Sequence, residues 1–114
     1  MLNKDRIALQ TILESVDKIE RNVNKFRNAD ELFRDSTHFD AAMMNFIIIG
    51  EMVARISNEC KEQNRHIEWD KIKGFRNIVA HDYFGIDAEE VWQIATTRMG
   101  KLKADIEQIL GERG

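Results

Sequence analysis

Proline is absent from the 114 residues, and glycine occurs at only six positions. With no proline to interrupt helices, and with charged and apolar residues recurring at three- and four-residue spacing, the chain reads as all-helical rather than as a sheet. Cysteine is reduced to Cys60, which excludes an intrachain disulfide and fits a reducing compartment, so the expected location is cytoplasmic. Long apolar runs are missing too. The most apolar stretch, 41–50, is interrupted by Asn45 and reaches about half of the roughly 20 residues that span a bilayer, so no membrane contact is expected. The opening Met1-Leu2-Asn3-Lys4-Asp5-Arg6 mixes charges of both signs where an export signal needs a basic end and an apolar run.

Positive charge is also in deficit. A net charge of −3 argues against coating nucleic acid through bulk electrostatics, yet a local cationic cleft is enough to hold one or two phosphates. No glycine-rich phosphate loop is present, so the chain is not expected to bind ATP by itself and no cofactor is expected. His38, His66 and Cys60 lack the short spacing of a zinc site, so they read as structural or surface residues and no metal is expected.

What is present organises residues 1–114 as a single domain. The first helix is predicted over 3–26, with Ile12, Val16, Ile19, Val23 and Phe26 as its apolar stripe. A polar connection follows over 28–37, in which Asp30 caps a short turn that holds Leu32 and Phe33 against the core. The second long helix is predicted from Ser36 or Thr37 to Lys61, with Phe39, Met43, Phe46, Gly50 and Val53 on one face. Met44, Ile47, Ile48 and Met52 form a second apolar face, one more than a monomeric bundle requires, which points to a second subunit. Gly50 in mid-helix costs about 1 kcal/mol relative to Ala unless a close approach compensates. Glu51 beside it reads as part of the polar stripe, outside any active constellation.

After a polar loop over 62–68, Asp70 fits the N-cap of a shorter helix carrying Ile72, Phe75 and Val79 inward, with Trp69 stapled before it. Gly85 breaks the chain, and Asp87 with Glu90 starts a last helix that runs to Leu110 before a short tail, 111–114. Helices joined by short loops imply an antiparallel four-helix up-and-down bundle, with one short extra turn between the first two long helices.

The chemistry concentrates in Arg76-Asn77-Ile78-Val79-Ala80-His81-Asp82-Tyr83. Arg offers a permanently charged fork suited to phosphate, and His is the side chain whose ordinary pKa lies near neutrality. Arg76 and Tyr83 are seven residues apart, so they fall on nearly the same helix face, while His81 lies about 140° round from Arg76. In one cleft, His81 would serve as general acid or base at an RNA 2′-hydroxyl and Arg76 would stabilise charge developing on phosphorus. Lys73 and Asn77 are candidate substrate contacts from the same helix. The plainer alternatives are that Arg76 and His81 cap or solvate a helix end, and that Asn77 is an exposed helical residue.

The pattern of Arg76, four residues, His81, one residue and Tyr83 resembles the signature of HEPN-domain toxins of the HepT type. Ile49-Gly50-Glu51, the segment 69–75 and the segment 87–92 are also similar to that family, so the resemblance covers nearly the whole chain. It implies a HEPN-like helical bundle that forms a homodimer, alone or within a larger assembly with its partner. The two motif copies would then make a composite cleft that cuts RNA without a metal ion, with Arg76 and His81 as the catalytic pair. It further implies a cognate nucleotidyltransferase antitoxin that transfers AMP from ATP to Tyr83, so that added phosphate charge and bulk block the cleft. The alternative is a non-catalytic helical adaptor that presents its surface to a nucleotidyltransferase.

Overall fold

Helical spacing of apolar residues decides the architecture. The computed structural model describes residues 1–113, and every regular element among them is helical. Helix α1 (Asn3–Val23) buries Leu9, Ile12, Val16, Ile19 and Val23 along one stripe. After the short α2 (Ala29–Arg34), α3 (Ser36–Arg55) buries Phe39, Met43, Phe46, Ile49 and Val53 in the same core. The short α4 (Asn58–Gln63) leads to α5 (Trp69–His81), a 3-10 turn at Tyr83–Gly85, and then α6 (Ala88–Thr97) and α7 (Met99–Arg113). Each large aliphatic side chain removed from water contributes about 1.5–3 kcal/mol, so the α1–α3 seam is the main source of favourable free energy. Helices α6 and α7 cover α1, whereas α5 lies on α3 and touches α6 and α7 little. A cleft of about 350 Å³ opens there, floored by Phe46, Ile72, Phe75 and Leu102.

The all-α class is the one the spacing implies, but several boundaries fall elsewhere. Helix α1 stops at Val23, short of Phe26, with Asn24 as its C-cap. Asn28, not Asp30, caps α2: its side chain accepts from Glu31 N at 2.9 Å, while Glu31 accepts from Arg27 N at 2.8 Å. That start buries both Ala29 and Leu32. Asp35, one residue ahead of Ser36, caps α3 by accepting from His38 N at 3.1 Å. The His38 side-chain hydrogen bond to the same carboxylate holds Asp35 below its ordinary pKa. At α5 the cap is Glu68 without a side-chain bond, and Trp69 is the first helical residue rather than the one before the cap. Trp69 is pinned by burial and by its indole N–H donating to Asn64 O at 3.2 Å, which leaves Asp70 in the first turn. Asp87 does cap α6, accepting from Glu89 N at 2.9 Å.

Two long helices expected to be continuous are broken. The last is interrupted at Arg98 because Thr96 and Thr97 in succession donate their hydroxyls to the carbonyls of Trp92 and Gln93, a back-bonding that bends helices. Helix α7 then continues through Arg113, so 111–113 are helical rather than a tail, and Gly114 lies outside the described residues. The second long helix ends at Arg55 instead of Lys61. Here the cause is distant in sequence: the buried carboxylate of Asp5 accepts from Ser57 N and from Ser57 Oγ, both at 2.7 Å, and Ser57 Oγ in turn caps α4 at Cys60 N. Asp5→Ala would leave a part-buried N–H without its partner, a loss of about 1 kcal/mol. Chemical denaturation of that variant is expected to show an earlier midpoint with an unchanged slope.

Candidate active site

Helix α5 is held on α3 by an aromatic edge contact and a bare patch of backbone. Phe75 meets Phe46 with ring centroids 5.0 Å apart at 88°. One residue on, the Cβ and Cγ of Arg76 lie where a side chain at position 50 would stand, and only glycine leaves that room. The guanidinium then reaches Glu51, with Nη1 donating to Oε1 at 2.6 Å. Arg76 is 18% exposed and Glu51 46%, so the pair sits at the edge of the helix interface rather than inside it. Arg76 Nε is buried and has no hydrogen-bond partner among the described residues. The close approach that would justify a mid-helix glycine is thus present, made by the stem of Arg76. Glu51, read from sequence as a polar-stripe residue, stands instead on the candidate site.

Tyr83 is tethered at the other end of the same two helices. Its hydroxyl donates to Asp40 on α3, and its ring packs edge-on between Phe39, at 6.2 Å, and Phe84, at 5.5 Å. Burial and, after it, the Asp40 hydrogen bond and charge push the phenol up to about 12. It is therefore neutral near pH 7, and a reaction that uses its oxygen as nucleophile needs an acceptor for its proton; Asp40 is placed as one. His81 is the last residue of α5, exposed and without a hydrogen bond or ion pair among the described residues. Lys73 and Asn77 are exposed on the same helix and equally unengaged among the described residues. Asp82 is exposed and takes the C-cap position.

Arg76 and Tyr83 are therefore both drawn to α3, while His81 stays in solvent, and no hydrogen bond joins Arg76 to His81 within one chain. Two residues that sequence reasoning left out, Glu51 and Asp40, contact the motif directly. A signal for them exists: Asp40, Met44, Ile47 and Glu51 follow one another at four-, three- and four-residue spacing, so acids end an apolar strip on one face of α3. The conceivable metal ligands are occupied otherwise, His38 on Asp35, His66 beside Asp105 at 3.9 Å, and Cys60 buried in the core.

Comparison with known proteins places the chain in a family. Residues 12–109 match the family model described as Ribonuclease HepT-like. The chain is 33% identical over 112 residues to a Methanocaldococcus jannaschii protein named "Gamma-glutamylcyclotransferase and putative RNase", covering 97% of this chain and 50% of that protein. It thus spans only half the length of that relative. A second protein of the same organism, named "Putative RNase", is 30% identical over 102 residues, covering 90% of this chain and 84% of its own. A Thermococcus cleftensis protein named "Probable ribonuclease HepT" is 29% identical over 101 residues, covering 89% of this chain and 91% of its own. No solved structure matches the chain. The chain belongs to the HepT-like ribonuclease family.

Because Tyr83 is the chain's single tyrosine, its titration can be followed by phenolate absorbance. The expected midpoint is about 12, and Asp40→Asn is expected to bring it only part of the way down, since burial is the larger cause. The folded value lies above the unfolded value of about 10, so the contribution to stability is complete below that pH and is lost as pH rises through the folded pKa. A wild-type midpoint at the ordinary tyrosine value would show that neither the burial nor the tether is formed.

Proposed function

We propose that this chain is a metal-independent endoribonuclease that cuts RNA in a cleft formed by two copies of itself, as the toxin of a toxin–antitoxin pair in the cytoplasm. The observation that carries the reading is the family membership over 12–109 together with an Arg76 seated on α3 and a His81 left open at the end of α5. The 2′-oxygen of a ribose attacks the adjacent phosphorus, the 5′-oxygen leaves, and a 2′,3′-cyclic phosphate results. His81 takes the 2′ proton or returns one to the leaving oxygen, and Arg76 offsets the charge that builds on the phosphoryl oxygens. Such a reaction needs one group to take a proton and another to give one, and each chain brings one His81 to its motif; pairing two chains supplies both. Lys73 and Asn77, exposed along α5, are suited to contact the flanking RNA.

The apolar strip on α3 supports pairing with a second copy. Met44 is 57% exposed, Ile47, Ile48 and Met52 are half-buried, and all stand on the helix that anchors Arg76 and Tyr83. Among the described residues no helix is long and apolar enough to cross a membrane, so this strip is offered to protein rather than to a bilayer core by a helical span.

The same geometry suits control through Tyr83. A nucleotidyltransferase antitoxin would bring ATP to the phenol; the Tyr83 oxygen attacks the α-phosphorus, pyrophosphate leaves, and the phenolic proton passes to Asp40. The adenylyl group so attached adds charge and bulk beside the cleft at the other end of the same helix pair, where it obstructs the approach of RNA.

With EDTA present, the purified protein is expected to cleave RNA, and Arg76→Ala and His81→Ala are each expected to lose about 10²-fold or more while remaining helical by circular dichroism. Equal cleavage by wild type and both variants would overturn the catalytic assignment in favour of a non-catalytic adaptor. Co-expression with a nucleotidyltransferase encoded beside it is expected to add the mass of AMP to the wild-type chain and none to Tyr83→Phe. An addition that persists in the Phe variant would move the modification elsewhere.

A further inference from the structure

A guanidinium at the end of a long stem samples many rotamers, and a displacement of about 1 Å at a reacting phosphate can cost about 100-fold in rate. Two neighbouring residues of α3 restrict that freedom at Arg76. Gly50 lets the stem lie against the helix, and Glu51 takes Nη1 at 2.6 Å. With Nε buried against α3, the Nη2 end is what remains for a ligand.

The Glu51 contact is hard to account for in other ways. At 46% exposure for the carboxylate, the ion pair adds little to stability. A carboxylate also carries the same sign as an RNA backbone, so beside the site's cation it weakens the attraction of substrate. Orientation is the effect that is left. We propose that Glu51 is a positioning residue: it fixes the Arg76 guanidinium so that its Nη2 end faces the phosphate undergoing cleavage. This rests on the ribonuclease reading for its kinetic consequence, but not for the orientation itself.

Steady-state cleavage of an RNA oligonucleotide by wild type, Glu51→Gln and Glu51→Ala tests the consequence. Gln keeps an oxygen that accepts from Nη1, so its kcat is expected within about threefold of wild type, whereas Ala is expected to lose about tenfold or more in kcat with KM changed by less than about threefold. A stability role alone would lower the melting temperature of the Ala variant and leave kcat of the folded protein untouched. That result, or an equal loss in Gln and Ala, overturns the proposal. Nitrogen-15 NMR of the Arg76 side chain tests orientation without any turnover. Slow guanidinium rotation, with separate Nη signals, is expected in wild type and Glu51→Gln, and a merged signal in Glu51→Ala. If wild type leaves RNA intact, the ribonuclease reading falls, and the NMR comparison still decides this proposal: a merged Nη signal in wild type overturns it.

Discussion

A long cationic side chain can lie flat on a neighbouring helix only where that helix presents no side chain of its own. Position 50 meets this condition in the middle of α3, at a cost in helix propensity of about 1 kcal/mol relative to Ala. The Phe46–Phe75 contact one turn away holds the helices at the distance the arrangement needs. Because α5 leans on α3 and scarcely on α6 or α7, this contact sets the register of the whole motif helix. The position of Tyr83 over Asp40 follows from that register.

The two helices divide the work. Helix α5 and the turn after it carry the motif side chains Arg76, His81 and Tyr83, whereas α3 carries the groups that restrain Arg76 and Tyr83, namely Gly50, Glu51 and Asp40. The restraint is uneven. Arg76 and Tyr83 are each held by a carboxylate, and His81 by nothing in its own chain among the described residues. An acidic protein thus keeps its motif cation matched by a local acid, and leaves the imidazole at the helix end unengaged among the described residues.

The legible part of the fold was the part written in local spacing. The buried stripes of α1 and α3 and the inward residues of α6 and α7 follow from apolar periodicity alone. Caps shifted by a residue or two because Asn28, Asp30, Asp35, Ser36 and Thr37 stand close together and each has capping chemistry; only the burial of Ala29, Leu32 and Phe39 selects among them. The break before α4 depends on Asp5, 52 residues away, and no local reading shows it. The break at Arg98 was within reach, since paired threonines that back-bond to a helix are a local signal. In the site, the motif stood out by residue type and family resemblance. Its partners on α3 did not, because a pairing between helices is a fact of packing, and half-exposed Glu51 and exposed Asp40 look in sequence like any polar-stripe residues.

Helix α3 runs without interruption from Asp40 to Glu51, so these two anchoring positions, eleven residues apart, are separated by roughly 16 Å along a rigid rod. The helix acts as a ruler. It sets the spacing of the two anchors, one holding the phenol and the other the guanidinium. Under the proposed modification of Tyr83, a rod of that length turns the size of the attached group into a measure of how much of the Arg76 end remains open.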